Sequence, residues 1–164
     1  MSETKNETTV TQPSDRELVF SRVFDAPQDR VFGAFATCDA VMRWFGPKLW
    51  PLSVCEMDFR VGGVWRYCMR GPAGEEAWGK AVYREIVRPE RIVNTDIFTD
   101  ADGAQVPGTP ELLVTVTFAE ANGKTTLTNR AEFATPGDLA AVVEMGMVAG
   151  VTETWDQLAE YLGN

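Results

Sequence analysis

The chain has 164 residues, of which 45% are hydrophobic and 24% charged, the size and composition of one globular domain. Its formal net charge of −9 makes nucleic acid a poor partner, and no apolar run approaches the roughly 20 residues that insertion across a membrane requires. The absence of histidine excludes Ser-His and Cys-His dyads and His-ligated metal sites, so we expect no metal and no cofactor.

The chain begins with a polar segment that has no apolar periodicity. This pattern predicts a flexible N-terminal tail over residues 1–15, followed by a single domain over residues 16–164. The tail has neither the basic nor the apolar region of a secretory signal peptide. A cytoplasmic location is therefore expected.

The domain begins with a strand-like pattern over residues 17–24 and two short helices. Asp25-Ala26-Pro27 predicts the start of the first helix, because proline fits the first helical turn. Residues 39–45 predict the second helix, which Gly46-Pro47 ends. Alternating apolar residues between turn signals then predict six further strands, at 52–61, 64–70, 78–87, 91–98, 112–118 and 125–133.

The last part of the chain changes to a helical period. Residues 138–162 predict one long amphipathic helix, and a helical wheel places Met147, Val148, Val151, Leu158 and Leu162 on the same side as Trp155. Strands without alternating helices favour an α+β fold with an antiparallel sheet of about seven strands.

The three cysteines, Cys38, Cys55 and Cys68, show no Cys-x-x-Cys spacing, and their number is odd. We expect them to be small buried hydrophobic residues rather than disulfide partners or metal ligands. A glycine- and proline-rich segment at 99–110 is either a mobile lid or an ordinary surface connection.

Several short motifs carry a family likeness over residues 17–162. They include Arg43-Trp44-Phe45-Gly46-Pro47, the segment 58–63, the segment 88–92 and the segment 144–150. In this order they resemble the heat-shock-90 ATPase activator homologue family of the START/birch-allergen-like (SRPBCC) superfamily. The resemblance implies a helix-grip fold, in which a seven-stranded antiparallel sheet wraps a long C-terminal helix with a cavity between them.

A cavity of this kind makes the apolar faces candidate ligand contacts, with ordinary core packing as the alternative. The predicted ligand-binding residues are Trp44, Trp65, Tyr67, Met69, Tyr83, Glu144, Met147, Val151 and Trp155. The helical wheel directs the carboxylate of Glu144 toward the sheet, unless Gly146 or Gly150 changes the register and returns it to solvent.

Three functions remain open at this point, because a fold does not fix an activity. The first is binding of a small hydrophobic or aromatic ligand without covalent catalysis. The second is a cyclase- or hydratase-like enzyme in which Glu144, Tyr67 or Tyr83 transfers protons. The third is a chaperone-interaction module, which we disfavour because the additional N-terminal domain of chaperone activators is missing. A homodimer is left open.

Overall fold

The computed structural model describes residues 6–163, which form eight strands and four helices. The strands are β1 (Thr9–Ser14), β2 (Glu17–Phe24), β3 (Leu52–Met57), β4 (Val64–Arg70), β5 (Glu76–Val87), β6 (Arg91–Thr99), β7 (Leu112–Ala121) and β8 (Lys124–Phe133). The helices are α1 (Gln28–Gly33), α2 (Cys38–Val41), α3 (Pro136–Glu144) and α4 (Met147–Tyr161).

All eight strands belong to one antiparallel sheet, in the order β1-β2-β8-β7-β6-β5-β4-β3. Alternate residues of each strand point to the same face, and the apolar set of β2 and β7 is buried there, with Phe20 and Phe24 fully so. The helices pack on this face, called the concave face below. The α+β class and the sheet held against a C-terminal helix confirm the sequence prediction.

The prediction of a flexible tail was wrong for residues 9–14. These residues form β1 and pair with β2, with Val10 opposite Phe20. All six β1 residues are exposed, so the strand is held by backbone hydrogen bonds and buries no side chain. A strand without a buried face has no hydrophobic alternation from which it can be predicted. The sheet therefore has eight strands rather than seven, and residues 1–5 of the predicted tail lie outside the described residues.

The prediction of a single C-terminal helix was also wrong, because the segment forms two helices, α3 and α4, which are separated at Gly146. This residue has a φ of 97°, a left-handed conformation that glycine adopts without steric strain and that cannot continue a right-handed helix. Thr135 caps the start of α3 by accepting a hydrogen bond from the amide of Asp138 at 3.0 Å. The buried stripe of α4, which includes Trp155 and Leu158, matches the helical wheel.

Helix α4 is fixed to the sheet on one side and to the segment after α2 on the other. The ring of Trp155 packs edge-on against Phe20 and Phe24 of β2, with centroid distances of 6.5 and 6.2 Å. On the other side, Gln157 Nε2 donates hydrogen bonds to the carbonyl oxygens of Trp44, at 3.2 Å, and Gly46. The helix is therefore held across the concave face.

A disulfide joins Cys38 of α2 to Cys55 of β3, with 5.8 Å between their Cα atoms. This corrects the prediction that both are unpaired, which rested on spacing along the sequence. Spacing carries no information about two cysteines that a helix and a strand bring together in space. Cys68 is a buried free thiol, as expected.

Candidate functional site

The concave face is closed at one end and partly open at the other. The inward-facing side chains of β2, β7 and β8, including Phe20, Phe118 and Leu127, are buried. Toward the other end, inward-facing residues of β4 and β6 stay partly exposed, and the N-terminal half of α4 shows the same change. We call this region the open end of the concave face, and its members are Trp65, Tyr67, Met69, Asp96, Phe98, Met147 and Val151.

The segment after α2 brings the start of α4 close to β4. A Cβ atom on Gly150 of α4 would lie 3.7 Å from Cγ of Pro47, and one on Gly46 would lie 3.3 Å from Sδ of Met69. The first half of α4 therefore lies beside the same segment that contacts β4. This arrangement brings the predicted ligand residues on β4 and on α4 to one region.

Three aromatic rings form the wall of the open end on the β4 side. The ring centroid of Phe45 lies 4.8 Å from that of Trp65 and 5.4 Å from that of Tyr67, and the Trp65 and Tyr67 centroids are 4.6 Å apart. Indole Nε1 of Trp65 is buried and has no hydrogen-bond partner. Most buried polar atoms in proteins are hydrogen-bonded. A ligand with an acceptor atom at this place would satisfy the free donor of Trp65.

Two small residues of β5 shape the floor between β4 and β6. A Cβ atom on Gly79 would lie 2.4 Å from the hydroxyl oxygen of Tyr67, so only glycine lets the Tyr67 side chain lie across β5. Ala81 is opposite Trp65 on one side and opposite Asp96 on the other. The large side chains of β4 and β6 thus face each other across small side chains.

Asp96 and Phe98 belong to this region but are not among the ligand residues predicted from the sequence, and Asp96 is the charged one of the two. Its carboxylate accepts a hydrogen bond from Asn94 Nδ2 at 2.8 Å. Burial, which disfavours the ionised form, raises the pKa of Asp96 to about 7, and the hydrogen bond from Asn94 partly opposes this shift. Near neutral pH the carboxyl group can therefore hold or release a proton.

Asp96 also affects the pKa values of two nearby tyrosines, Tyr67 and Tyr83. The pKa of Tyr67 and that of Tyr83 are raised, first because burial disfavours the phenolate and second because the negative charge of Asp96 does so too. Both tyrosines are therefore neutral hydrogen-bonding groups at physiological pH.

A sequence signal for Asp96 did exist. The successive inward positions of β6 are occupied by Ile92, Asn94, Asp96 and Phe98, so two polar residues lie on an otherwise apolar strand face.

Several predicted ligand residues lie in the core instead of at the open end. The indole of Trp44 is buried and donates a hydrogen bond to the carbonyl oxygen of Ala34 at 3.0 Å. Tyr83 is buried with its ring 5.1 Å from that of Phe59, and Trp155 packs on β2. Trp44 and Trp155 thus belong to the core that adjoins the open end. Tyr83 is also in the core, but the charge of Asp96 contributes to its raised pKa.

Of the two positions that the sequence allows for Glu144, the structure shows the solvent-exposed one, so its place among the predicted ligand residues was wrong. The residue is exposed at the end of α3. The wheel assumed one continuous helix, and the left-handed turn at Gly146 changes the direction of the chain directly after Glu144. Its carboxylate is therefore not part of the open end.

The 99–110 segment has the structure of an ordered surface connection. The side chain of Asp100 accepts hydrogen bonds from the amides of Asp102, at 2.9 Å, and Ala104, at 3.0 Å. Arg66, whose guanidinium lies 4.5 Å from the ring centroid of Trp78, donates to the carbonyl oxygen of Ala101. These contacts hold the segment against the opposite face of β4 and β5, which favours the surface-connection interpretation over the lid.

Within residues 6–163, no group of three or more cysteine, aspartate or glutamate side chains is arranged to hold a metal ion. A surface pocket of about 210 Å³ lies along α4 and contains none of the predicted ligand residues; it is lined by Lys48, Glu153, Asp156, Gln157 and Glu160.

The fold and the sequence together decide the family. The family described as "Activator of Hsp90 ATPase homolog 1-like protein" matches residues 25–163, nearly the whole domain. The chain belongs to this family. A comparison with curated protein sequences gives no match.

Solved structures of similar proteins agree with the family assignment. Protein Ms6760 from Mycobacterium smegmatis has 28% identity and a TM-score of 0.88, over 95% of this chain and 96% of that one. A protein from Arthrobacter aurescens has 29% identity and a TM-score of 0.89, over 94% and 91%. The AHSA1 protein from Silicibacter pomeroyi, at 17% identity, shares the fold with a TM-score of 0.72, over 90% and 97%.

The family assignment confirms the resemblance to the helix-grip proteins of the SRPBCC superfamily. In the part of the chain from residue 6 to residue 163, no helix combines the length and the apolar character needed to cross a membrane.

Proposed function

We propose that this AHSA1-family protein binds a small hydrophobic or aromatic ligand at the open end of the concave face, without covalent catalysis. The observation that carries the proposal is the group of partly exposed inward-facing side chains, with the aromatic residues Trp65, Tyr67 and Phe98 among them. Binding sites for small molecules combine such apolar walls with a few polar groups that fix orientation.

The polar groups of the open end fit this description. Nε1 of Trp65 is a buried donor without a partner, and the carboxyl group of Asp96 lies across Ala81 from the same residue. Proteins of this fold family commonly bind hydrophobic ligands, which agrees with the proposal. A ligand with an apolar body would place an acceptor atom at Nε1 of Trp65 and a second polar group at the carboxyl group of Asp96.

The experiment is a titration with the apolar fluorescent probe N-phenyl-1-naphthylamine. We expect saturable binding at about one site. The variant Val151→Trp adds a large ring to the partly buried inner side of α4 and should weaken probe binding by about tenfold or more, with the protein still folded. Val143→Trp is the matched control, because Val143 is 38% exposed on α3 and should leave the affinity unchanged.

Two results would contradict the proposal. One is an absence of saturable probe binding to the wild-type protein. The other is a loss of stability of roughly 1–3 kcal/mol in Val151→Trp without any change in probe affinity, since this is the behaviour of an overpacked solid core.

A second candidate function is proton transfer on a bound apolar substrate, as in a cyclase- or hydratase-like enzyme. Asp96 favours it, because a carboxyl group with a pKa of about 7 can act as a general acid or base near neutral pH. In this version Asp96, with Tyr67 beside it, replaces the predicted Glu144. Loss of turnover in Asp96→Asn with unchanged ligand affinity would distinguish this enzyme from a carrier.

We propose that the protein acts in the cytoplasm. We also propose that it uses no cofactor and binds no chaperone. The disulfide between Cys38 and Cys55 weighs against the cytoplasm, because such bonds persist mainly in oxidising compartments. Fractionation of the cells that make the protein, with the redox state of the two cysteines measured in each fraction, tests the location.

A further inference from the structure

We infer that the ligand of the open end is an organic cation, an apolar or aromatic body that carries a positively charged nitrogen, held by the carboxylate of Asp96 and the rings of Trp65 and Tyr67. The inference rests on the proposed function and names the chemical class of its ligand.

The first argument is that Asp96 has no positive partner of its own. Its hydrogen-bond partner is the neutral amide of Asn94. Among the ion pairs formed by the described residues, none includes Asp96. A carboxylate inside a protein is normally paired with a positive group. A cationic ligand would supply that group.

The second argument is the kind of side chain around the carboxylate. The faces of indole and phenol rings attract cations electrostatically, and aromatic groups of this kind recognise substituted ammonium ions. Trp65 and Tyr67 lie with their centroids 4.6 Å apart on the strand next to β5. Ala81 of β5 is opposite Trp65 on one side and Asp96 on the other, so the carboxylate and the two rings lie on the same face of the sheet with β5 between them.

The third argument concerns the opposite ligand charge. An anionic ligand would need an inward-facing positive side chain. Arg22, which is buried on β2, is already paired with Asp156, and Arg66 lies over Trp78 on the other face of the sheet. The net charge of −9 disfavours an anion further.

Protonation of Asp96 provides an internal test, because it would remove the charge that holds the cation. The titratable groups that face Asp96 are Tyr67 from β4 and Tyr83 from β5. The other elements packed around the region present apolar residues there, which are Leu112 and Val114 of β7 and Met147 and Val151 of α4. Both tyrosines stay neutral through the acidic and neutral range, so a change in cation affinity near pH 7 belongs to Asp96.

The experiment compares two probes of the same shape, trimethylphenylammonium and its uncharged analogue tert-butylbenzene. Each is used to displace bound N-phenyl-1-naphthylamine from the full chain. At about pH 8.5 we expect the ammonium probe to bind about tenfold tighter than the neutral one, within the range of carboxylate and cation–π contributions. At about pH 5.5 the preference should fall to about twofold or less, because Asp96 is then protonated.

Two variants locate the effect. Asp96→Asn should abolish the preference for the ammonium probe, so that the two probes bind with equal affinity at both pH values. Asp102→Asn is the matched control, since Asp102 is exposed on the 99–110 segment and should leave the preference intact. The pH comparison on the wild-type protein needs no variant, so the inference stays testable even where a variant does not fold.

Equal affinity for the two probes at about pH 8.5 would overturn the inference and leave the proposed function standing, since the site would then bind apolar molecules of any charge. Failure of N-phenyl-1-naphthylamine to bind the wild-type protein would remove the proposed function and the inference together. A preference for the ammonium probe that survives in Asp96→Asn would assign cation binding to another part of the molecule.

Discussion

Nη1 of Arg22 lies 2.5 Å from Oδ1 of Asp156, and this ion pair joins β2 to α4. The Arg22 side chain is 4% exposed, whereas that of Asp156 is 57% exposed. A buried guanidinium therefore depends on one carboxylate that solvent reaches. Together with the packing of Trp155 on the same strand, the ion pair holds the helix in the position that leaves its first half at the open end.

Removal of the carboxylate should weaken the attachment of α4. Asp156→Ala leaves the charge of Arg22 buried without its partner, and we expect it to lower the free energy of unfolding by about 1–3 kcal/mol. Glu153→Ala, on the exposed side of the same helix, is the control and should change stability by less than about 0.5 kcal/mol. Equal denaturation midpoints for the two variants would show that the ion pair does not stabilise the fold.

The raised pKa of Asp96 predicts how stability changes with pH. The folded state holds this proton up to about pH 7, whereas the unfolded chain releases it near its ordinary value of about 4. Between these values the folded state binds more protons than the unfolded state, so stability falls as the pH rises through this window.

Asp96→Asn removes this titration and keeps the shape of the side chain. We expect the variant to gain melting temperature relative to wild type at about pH 8 and little at about pH 4. Calorimetric melting curves of both proteins across this range provide the measurement. A difference in melting temperature that stays constant with pH would mean that Asp96 titrates normally in the folded protein.

The disulfide between Cys38 and Cys55 closes a loop with a sequence separation of 17. Opening a loop of this length should lower the free energy of unfolding by about 2–4 kcal/mol. We expect the non-reduced, denatured protein to show one free thiol, that of Cys68, and the reduced protein to show three. Three reactive thiols before reduction would contradict the bond, and denaturant curves with and without dithiothreitol measure its contribution.

Strand β1 gives a prediction that differs from the one for a flexible tail. Deletion of residues 1–14 removes β1 and leaves β2 as a bare sheet edge, so we expect a lower denaturation midpoint and concentration-dependent association. Deletion of residues 1–8 keeps the strand and serves as the control. If the two truncated proteins have the same midpoint and the same sedimentation behaviour, the pairing of β1 does not matter for stability.

The sequence predicts those elements whose side chains reveal their environment. Strand β4 begins and ends where alternation places it, at Val64 and Arg70, because one face is apolar along its whole length. The buried stripe of α4 follows its helical period for the same reason. Strand β1 buries nothing, and thus its pairing leaves no mark in the sequence.

The site was less predictable than the fold. Apolar periodicity predicted inward positions for Trp65, Tyr67 and Met69 on β4 and for Met147 and Val151 on α4, and these residues are partly buried against the core. Asp96 was not predicted because apolar periodicity identifies inward-facing residues by their hydrophobicity, and Asp96 is a polar residue at an inward position. Glu144 was listed as a ligand residue from the helical wheel, and the left-handed conformation of Gly146 produces the alternative position in solvent. Both errors concern single residues that depart from the pattern around them.

The most direct test of the ligand site uses the indole N–H signals of the five tryptophans in a nuclear magnetic resonance titration with N-phenyl-1-naphthylamine. Single Trp→Phe variants assign the signals. The free Nε1 of Trp65 at the open end should show the largest shift, and the signal of Trp78, which lies under Arg66 on the other face of the sheet, should stay unchanged. A saturating titration in which Trp78 shifts and Trp65 does not would contradict binding at the open end of the concave face.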